Sequence, residues 1–154
     1  MCHYLDGHFL SQILTQIPTW IIVVLGWFVV HHLSKKRDQR KEARERIDQF
    51  IVALRAIEEK AIEFHQSDSY KGDVARSLLF DIQRIIAKLK RHPFCSFKVD
   101  HNLLKELRRA VTLKNFDSSK FVCQPANSAI LSNVANAVDD IEDQLEKEYE
   151  RIYL

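Results

Sequence analysis

The chain has 154 residues, 46% of them hydrophobic, with 23 Lys and Arg against 21 Asp and Glu and a formal charge of +2. A balance so close to neutrality disfavours nucleic acid as a partner, and the bases follow no recognisable binding motif. Phosphate-cradling loops need glycine for close backbone approach, and after position 34 the only glycine is Gly72, which excludes Walker-type and dinucleotide-type motifs.

From Gly7 to Ser34 there is no Asp, Glu, Lys or Arg, and Lys35-Lys36-Arg37 then opens a dense basic block. An uncharged stretch closed by cations predicts a single transmembrane helix over 13–34, preceded by a short extracytoplasmic or interfacial segment, 1–12. Ile17 to Leu33 would rise about 26 Å as a helix, and the turn holding Ile13 and Leu14 brings it to the ~30 Å of a hydrocarbon core. Pro18 suits a first helical turn, where its missing N–H is unpaired in any case. A core helix would confine its apolar residues to one face, whereas Ile21-Ile22-Val23-Val24-Leu25 is apolar all round. A secretory signal would open with Lys or Arg, and the first six residues hold neither.

Orientation follows from the flanks. All 23 Lys and Arg lie after position 34, as do 20 of the 21 acids. The positive-inside rule then expects an inner-membrane protein with its N-terminus outside and residues 35–154 in the cytoplasm. Lys35, Lys36, Arg37, Arg40 and Lys41 are the expected contacts for anionic lipid headgroups, each worth about 1 kcal/mol near the surface.

The 35–154 region reads as an all-α antiparallel bundle of about four helices. The first runs over about 35–66, because nothing from Leu33 to Phe64 is Gly or Pro. Ile47, Phe50, Leu54, Ile57, Ala61 and Phe64 follow 3- and 4-residue steps along it, a stripe suited to helix packing. Asp73 is a candidate cap for a second helix, 73–92, with Leu78, Leu79, Ile82, Ile85, Ile86 and Leu89 on one broad face and Pro93 as its stop. Asp100 can cap a third, 100–115, carrying Leu103, Leu104, Leu107 and Val111. A polar loop past Pro125 leads to a fourth, 127–153, with Leu131, Val134, Val138, Ile141, Leu145 and Ile152 in register. Bases dominate between Arg84 and Arg109, and acids dominate from Asp139 to Glu150, so these faces are expected to attract each other across the bundle.

Catalytic chemistry has little to stand on. There is no HExxH, GxSxG or paired CxxC, and no Glu-x-x-His of the kind that carboxylate-bundle enzymes use. His92, Cys95, His101 and Cys123 match no standard zinc spacing and read as residues of a helix-connecting segment. His31-His32 could titrate near neutrality at the inner membrane face, although a tolerated boundary pair is the simpler reading. No enzyme activity, cofactor or metal is expected.

What is expected is a membrane-anchored, non-enzymatic interaction or sensor module that presents a helical bundle to cytoplasmic partners or to a second copy of itself. The stripe Ile47, Phe50, Leu54 and Ile57 is the candidate surface for a protein partner or a homo-oligomer, together with the acidic helix around Asp139. The alternative is a small membrane effector, of toxin, phage-defence or exclusion type, whose oligomerised span perturbs the bilayer. Gly26 is the span's only small packing residue of that kind, and no GxxxG occurs.

Overall fold

The computed structural model describes residues 6–153, with side chains from Trp20 onward. Among the described residues the protein is all-α and has no strand. Its helices are α1 (Asp6–Gln66), α2 (Gly72–Lys88), α3 (His101–Thr112) and α4 (Ala129–Tyr153), with a 3-10 turn at Phe94–Ser96 between α2 and α3. This agrees with the expected all-α, four-helix class. The chain divides into two units between Glu42 and Ala43.

In the first unit, every large apolar side chain from Trp20 to Leu33 is exposed, from 52% at Ile21 to 70% at Ile22. Among the described residues no helix is long and apolar enough to cross a membrane. The expected transmembrane helix over 13–34 is therefore not supported by the described residues. The side chains of its positions 13–19, and those of the expected outer segment 1–12, lie outside them.

The second unit owns a continuous core. Ile47, Phe50, Leu54, Ile57, Ala61 and Phe64 of α1 meet Leu78, Ile82 and Ile85 of α2, Leu104, Leu107 and Val111 of α3, and Val134, Val138, Ile141 and Leu145 of α4. Each helix contributes residues at 3- and 4-residue steps, the spacing that puts side chains on one face. Burial of these side chains, at roughly 1.5–3 kcal/mol each, is what holds the unit together.

The helix ends follow local chemistry. Gln66 ends α1, where the Ser67 hydroxyl bonds the Phe64 carbonyl at 2.7 Å and the Ser69 carbonyl at 2.8 Å. Asp73 does not cap α2: the cap position is Lys71, without a side-chain bond, and Asp73 sits inside the first turn. There its carboxylate complements the positive end of the helix dipole without bonding an orphan amide. α2 leaves α geometry after Lys88, before Pro93 is reached, and the chain closes into the 3-10 turn with Phe94 and Phe97 buried. Phe94 lies against Phe50 with ring centroids 5.0 Å apart, which seats the connector on the Ala43 end of α1. Asp100 caps α3 by accepting from the Asn102 amide at 2.8 Å. Asn115 follows with φ 65°, the left-handed region that Asn tolerates, and turns the chain out of α3. The Ser128 hydroxyl accepts from the Leu131 amide at 3.3 Å at the start of α4.

Candidate functional site

The basic block lies in the first unit. Lys35, Lys36, Arg37, Arg40 and Lys41 are all exposed. At 100° per residue, Lys36, Arg37, Arg40 and Lys41 share one arc of the helix, while Asp38, Glu42 and Glu45 fall on the neighbouring arc, Glu45 about 40° from Lys41 and Lys35 beside Glu42. One face is therefore cationic and continuous, a shape suited to a flat anionic surface. Just before it, His31 stacks on Trp27 at 5.3 Å between ring centroids and His32 on Phe28 at 6.4 Å, both at i,i+4 spacing.

Ile47, Phe50, Leu54 and Ile57 are placed elsewhere than on a surface. They expose 0%, 1%, 0% and 3% of their area. As an interface with another protein they are already occupied, because the chain's own α2, α3 and α4 cover them. The acidic helix is also largely spoken for. The Arg55 guanidinium reaches Glu58 at 3.0 Å, Asp139 at 2.7 Å, and Glu142. Glu58 first, and then Asp139 and Glu142, hold Arg55 well above the ordinary guanidinium range, against the opposing cost of its burial. Arg44 meets Glu146 at 2.6 Å and Asp48 at 3.0 Å, and its charge lies 5.7 Å from the centre of the Tyr149 ring. The ion pairs that cross to α4 thus come from α1, not from the basic stretch between Arg84 and Arg109.

One polar site had not been singled out. His65 is fully buried, its Nε2 lies 3.2 Å from the Val111 carbonyl and its Nδ1 3.3 Å from the Asn115 amide nitrogen. A carbonyl can only accept, so Nε2 carries the proton and Nδ1 accepts from Asn115. Burial pushes the imidazole below its ordinary pKa, opposed by the Val111 bond. Asn115 also accepts from the Val122 amide at 2.7 Å, and the His65 carbonyl accepts from the Gln124 amide at 2.8 Å. His65 and Asn115 therefore fasten the α3–α4 loop to the end of α1. Phe64, Tyr70, Phe116 and Phe121 pack beside that fastening with centroids 5.3–5.8 Å apart. The signal was present in the sequence: His65 stands four residues after Ala61, on the buried stripe.

Between α3 and α4 runs an open groove of about 540 Å³, lined by Arg109, Leu113, Lys114, Ile130, Asn133 and Asp140 among others. Leu113 at its edge is 72% exposed. Among the described residues no group of three or more His, Cys, Asp or Glu side chains is placed to hold a metal ion. His92, Cys95, His101 and Cys123 do not converge. Cys95 lies exposed in the 3-10 turn, while Cys123 is exposed at the other end of the unit, where its thiol donates to the Gln66 carbonyl at 3.1 Å.

The chain matches no protein-family model, no curated protein and no solved structure. Its own geometry carries the functional reading.

Proposed function

We propose that the protein is a membrane-tethered, non-enzymatic interaction module, in which the first unit is the anchor and the second presents a self-contained helical bundle. The observation that carries the reading is the stretch from Trp20 to Leu33. It is helical, apolar on every side and exposed on every side, and it runs directly into a cationic face. A helix apolar on one face invites a single partner, whereas one apolar all round asks for a surrounding apolar medium. Lys35, Lys36, Arg37, Arg40 and Lys41 then meet anionic headgroups where the helix leaves the lipid.

The bundle's interaction surface is the groove between α3 and α4, because the Ile47 stripe is spent on the core. The groove offers what a peptide segment needs: exposed apolar area at Leu113, amide groups at Asn133 and Asn136, and charges of both signs.

Alkaline carbonate extraction of membranes from cells expressing the full chain tests the tether. The protein is expected to stay with the membrane pellet and to float with it in a density gradient. Release into the supernatant overturns the proposal. Photocrosslinking from position 113 in the same membranes tests the groove, which is expected to capture a protein partner or a second copy.

A further inference from the structure

We infer that His65 is an acid-released latch: its uncharged ring ties the loop 115–124 to the end of α1, and a proton taken up at Nδ1 frees that loop while the helical core stays packed. The inference lies wholly within the second unit and stands whether or not the tether does.

The pairing of donors and acceptors carries it. Nε2 donates to the Val111 carbonyl at 3.2 Å, in the last turn of α3, where helix carbonyls lack helical partners. Nδ1 accepts from the Asn115 amide group at 3.3 Å, and the Asn115 carbonyl oxygen is already taken by the Val122 amide at 2.7 Å. An imidazolium donates from both nitrogens. Its Nδ1–H would point at the Asn115 NH2 group, donor against donor. Turning the Asn115 amide over does not help, because its NH2 group would then meet the Val122 N–H. While the loop is down, every arrangement of the charged ring leaves one donor facing another, which costs more than a bond gains.

The release is local because the loop is lightly held. Asp117 to Lys120 are exposed, and Phe116 and Phe121 are only partly buried where they pack beside Phe64. Its far end is closed by the Gln124 amide, which donates to the His65 carbonyl at 2.8 Å. The fully buried side chains belong to the helices, so the loop can lift at a lower free energy than the core can open.

The charged and titratable groups nearby do not supply what the imidazolium would need. On the α1 side Glu63 and Asp68 are exposed, and the Tyr70 ring lies against Phe64 and Phe121. The first turns of α2 bring Asp73 and Arg76, both exposed. Lys114, after α3, lines the α3–α4 groove. In the loop Asp117 is turned to Ser119, Lys120 is exposed, and the Cys123 thiol donates to the Gln66 carbonyl. α4 has no ionisable residue before Asp139. The dipoles of α1 and α3 favour a cation at their ends, but the group that faces Nδ1 is a donor.

Residue-resolved hydrogen exchange of the full chain in detergent tests the latch at the Val122 and Gln124 amides, read as protection factors so that the pH dependence of the chemical step drops out. Between about pH 7.5 and 5.5 their protection should fall up to about tenfold, a factor of ten per unit below the ordinary histidine value of ~6.5. The amides of Leu78 and Ile82 in α2 should keep theirs. His65→Gln retains a donor and an acceptor but never charges, so its loop should be equally protected at both pH values. Asn115→Asp puts an acceptor opposite Nδ1 and tolerates the left-handed backbone at this position; its loop should stay protected in acid. Protection at Val122 and Gln124 that ignores pH in the wild type, or that falls as far in His65→Gln or Asn115→Asp, overturns the latch. So does a loss at Leu78 and Ile82 in step with the loop, which would mean that the whole unit opens.

Discussion

Replacing Phe64 by alanine is the sharpest test of how the second unit is held together. Phe64 is 1% exposed, and its ring lies 5.1–5.8 Å from those of His65, Tyr70, Phe116 and Phe121. A buried Phe→Ala change costs about 3–5 kcal/mol from lost transfer energy and the cavity left behind. Ring pairs add about 0.5–1.5 kcal/mol apiece beyond area, which puts this position in the upper half of that range. Against a total stability of roughly 5–15 kcal/mol, the loss is a large share. With a urea slope of about 2 kcal/mol/M, ~4 kcal/mol lowers the midpoint by about 2 M. The assay is urea unfolding of the full chain in detergent, followed by far-ultraviolet circular dichroism. Phe64→Leu keeps most of the volume and should cost only about 1–1.5 kcal/mol. Phe80→Ala, at a ring 60% exposed, should cost under ~0.5 kcal/mol. If Phe64→Ala moves the midpoint no further than Phe80→Ala does, the aromatic cluster is not what closes this end of the core.

Because burial lowers the His65 pKa in the folded state, the unfolded chain binds more protons as pH falls below the ordinary histidine value of ~6.5. The His65 contribution is thus fully present above that value and is lost as pH falls toward the folded pKa; urea midpoints of the wild type should drop between about pH 7 and 5, while His65→Asn flattens that slope. Arg55→Met leaves Glu58, Asp139 and Glu142 facing one another. After discounting for a side chain 41% exposed, it should cost about 1 kcal/mol, a loss that shrinks in 1 M salt (about 3 Å of screening length) when midpoints are compared. Asp100→Ala removes the cap of α3 and should cost about 1 kcal/mol by the same unfolding assay, with Asp100→Asn close to wild type.

The sequence made the helices legible because 3- and 4-residue spacing is a direct imprint of helical geometry. The Asp100 cap was legible because Asp ahead of an apolar run is a favoured capping residue, although Asp73 in the same setting is not a cap. The same periodicity misled at Ile47, Phe50, Leu54 and Ile57. A stripe says that one face is covered and is silent on whether the cover is the same chain or another. Lys71 rather than Asp73 at the start of α2 turned on backbone dihedrals that side-chain chemistry does not specify. The loop aromatics Phe116 and Phe121 have no period of their own, so their packing on Phe64 could be found only in three dimensions. Arg55 gathers acids from two separate helices, and no local rule pairs residues 84 and 87 positions apart.

Because the buried residues of α1 form the floor on which α2, α3 and α4 lie, the short segment from Ser67 to Lys71 is the covalent bridge between that floor and everything resting on it. One protease cut there would leave the two pieces joined only by packing. Any loosening would then strip three helices from their support and shed them together, so that release and unfolding become one irreversible event.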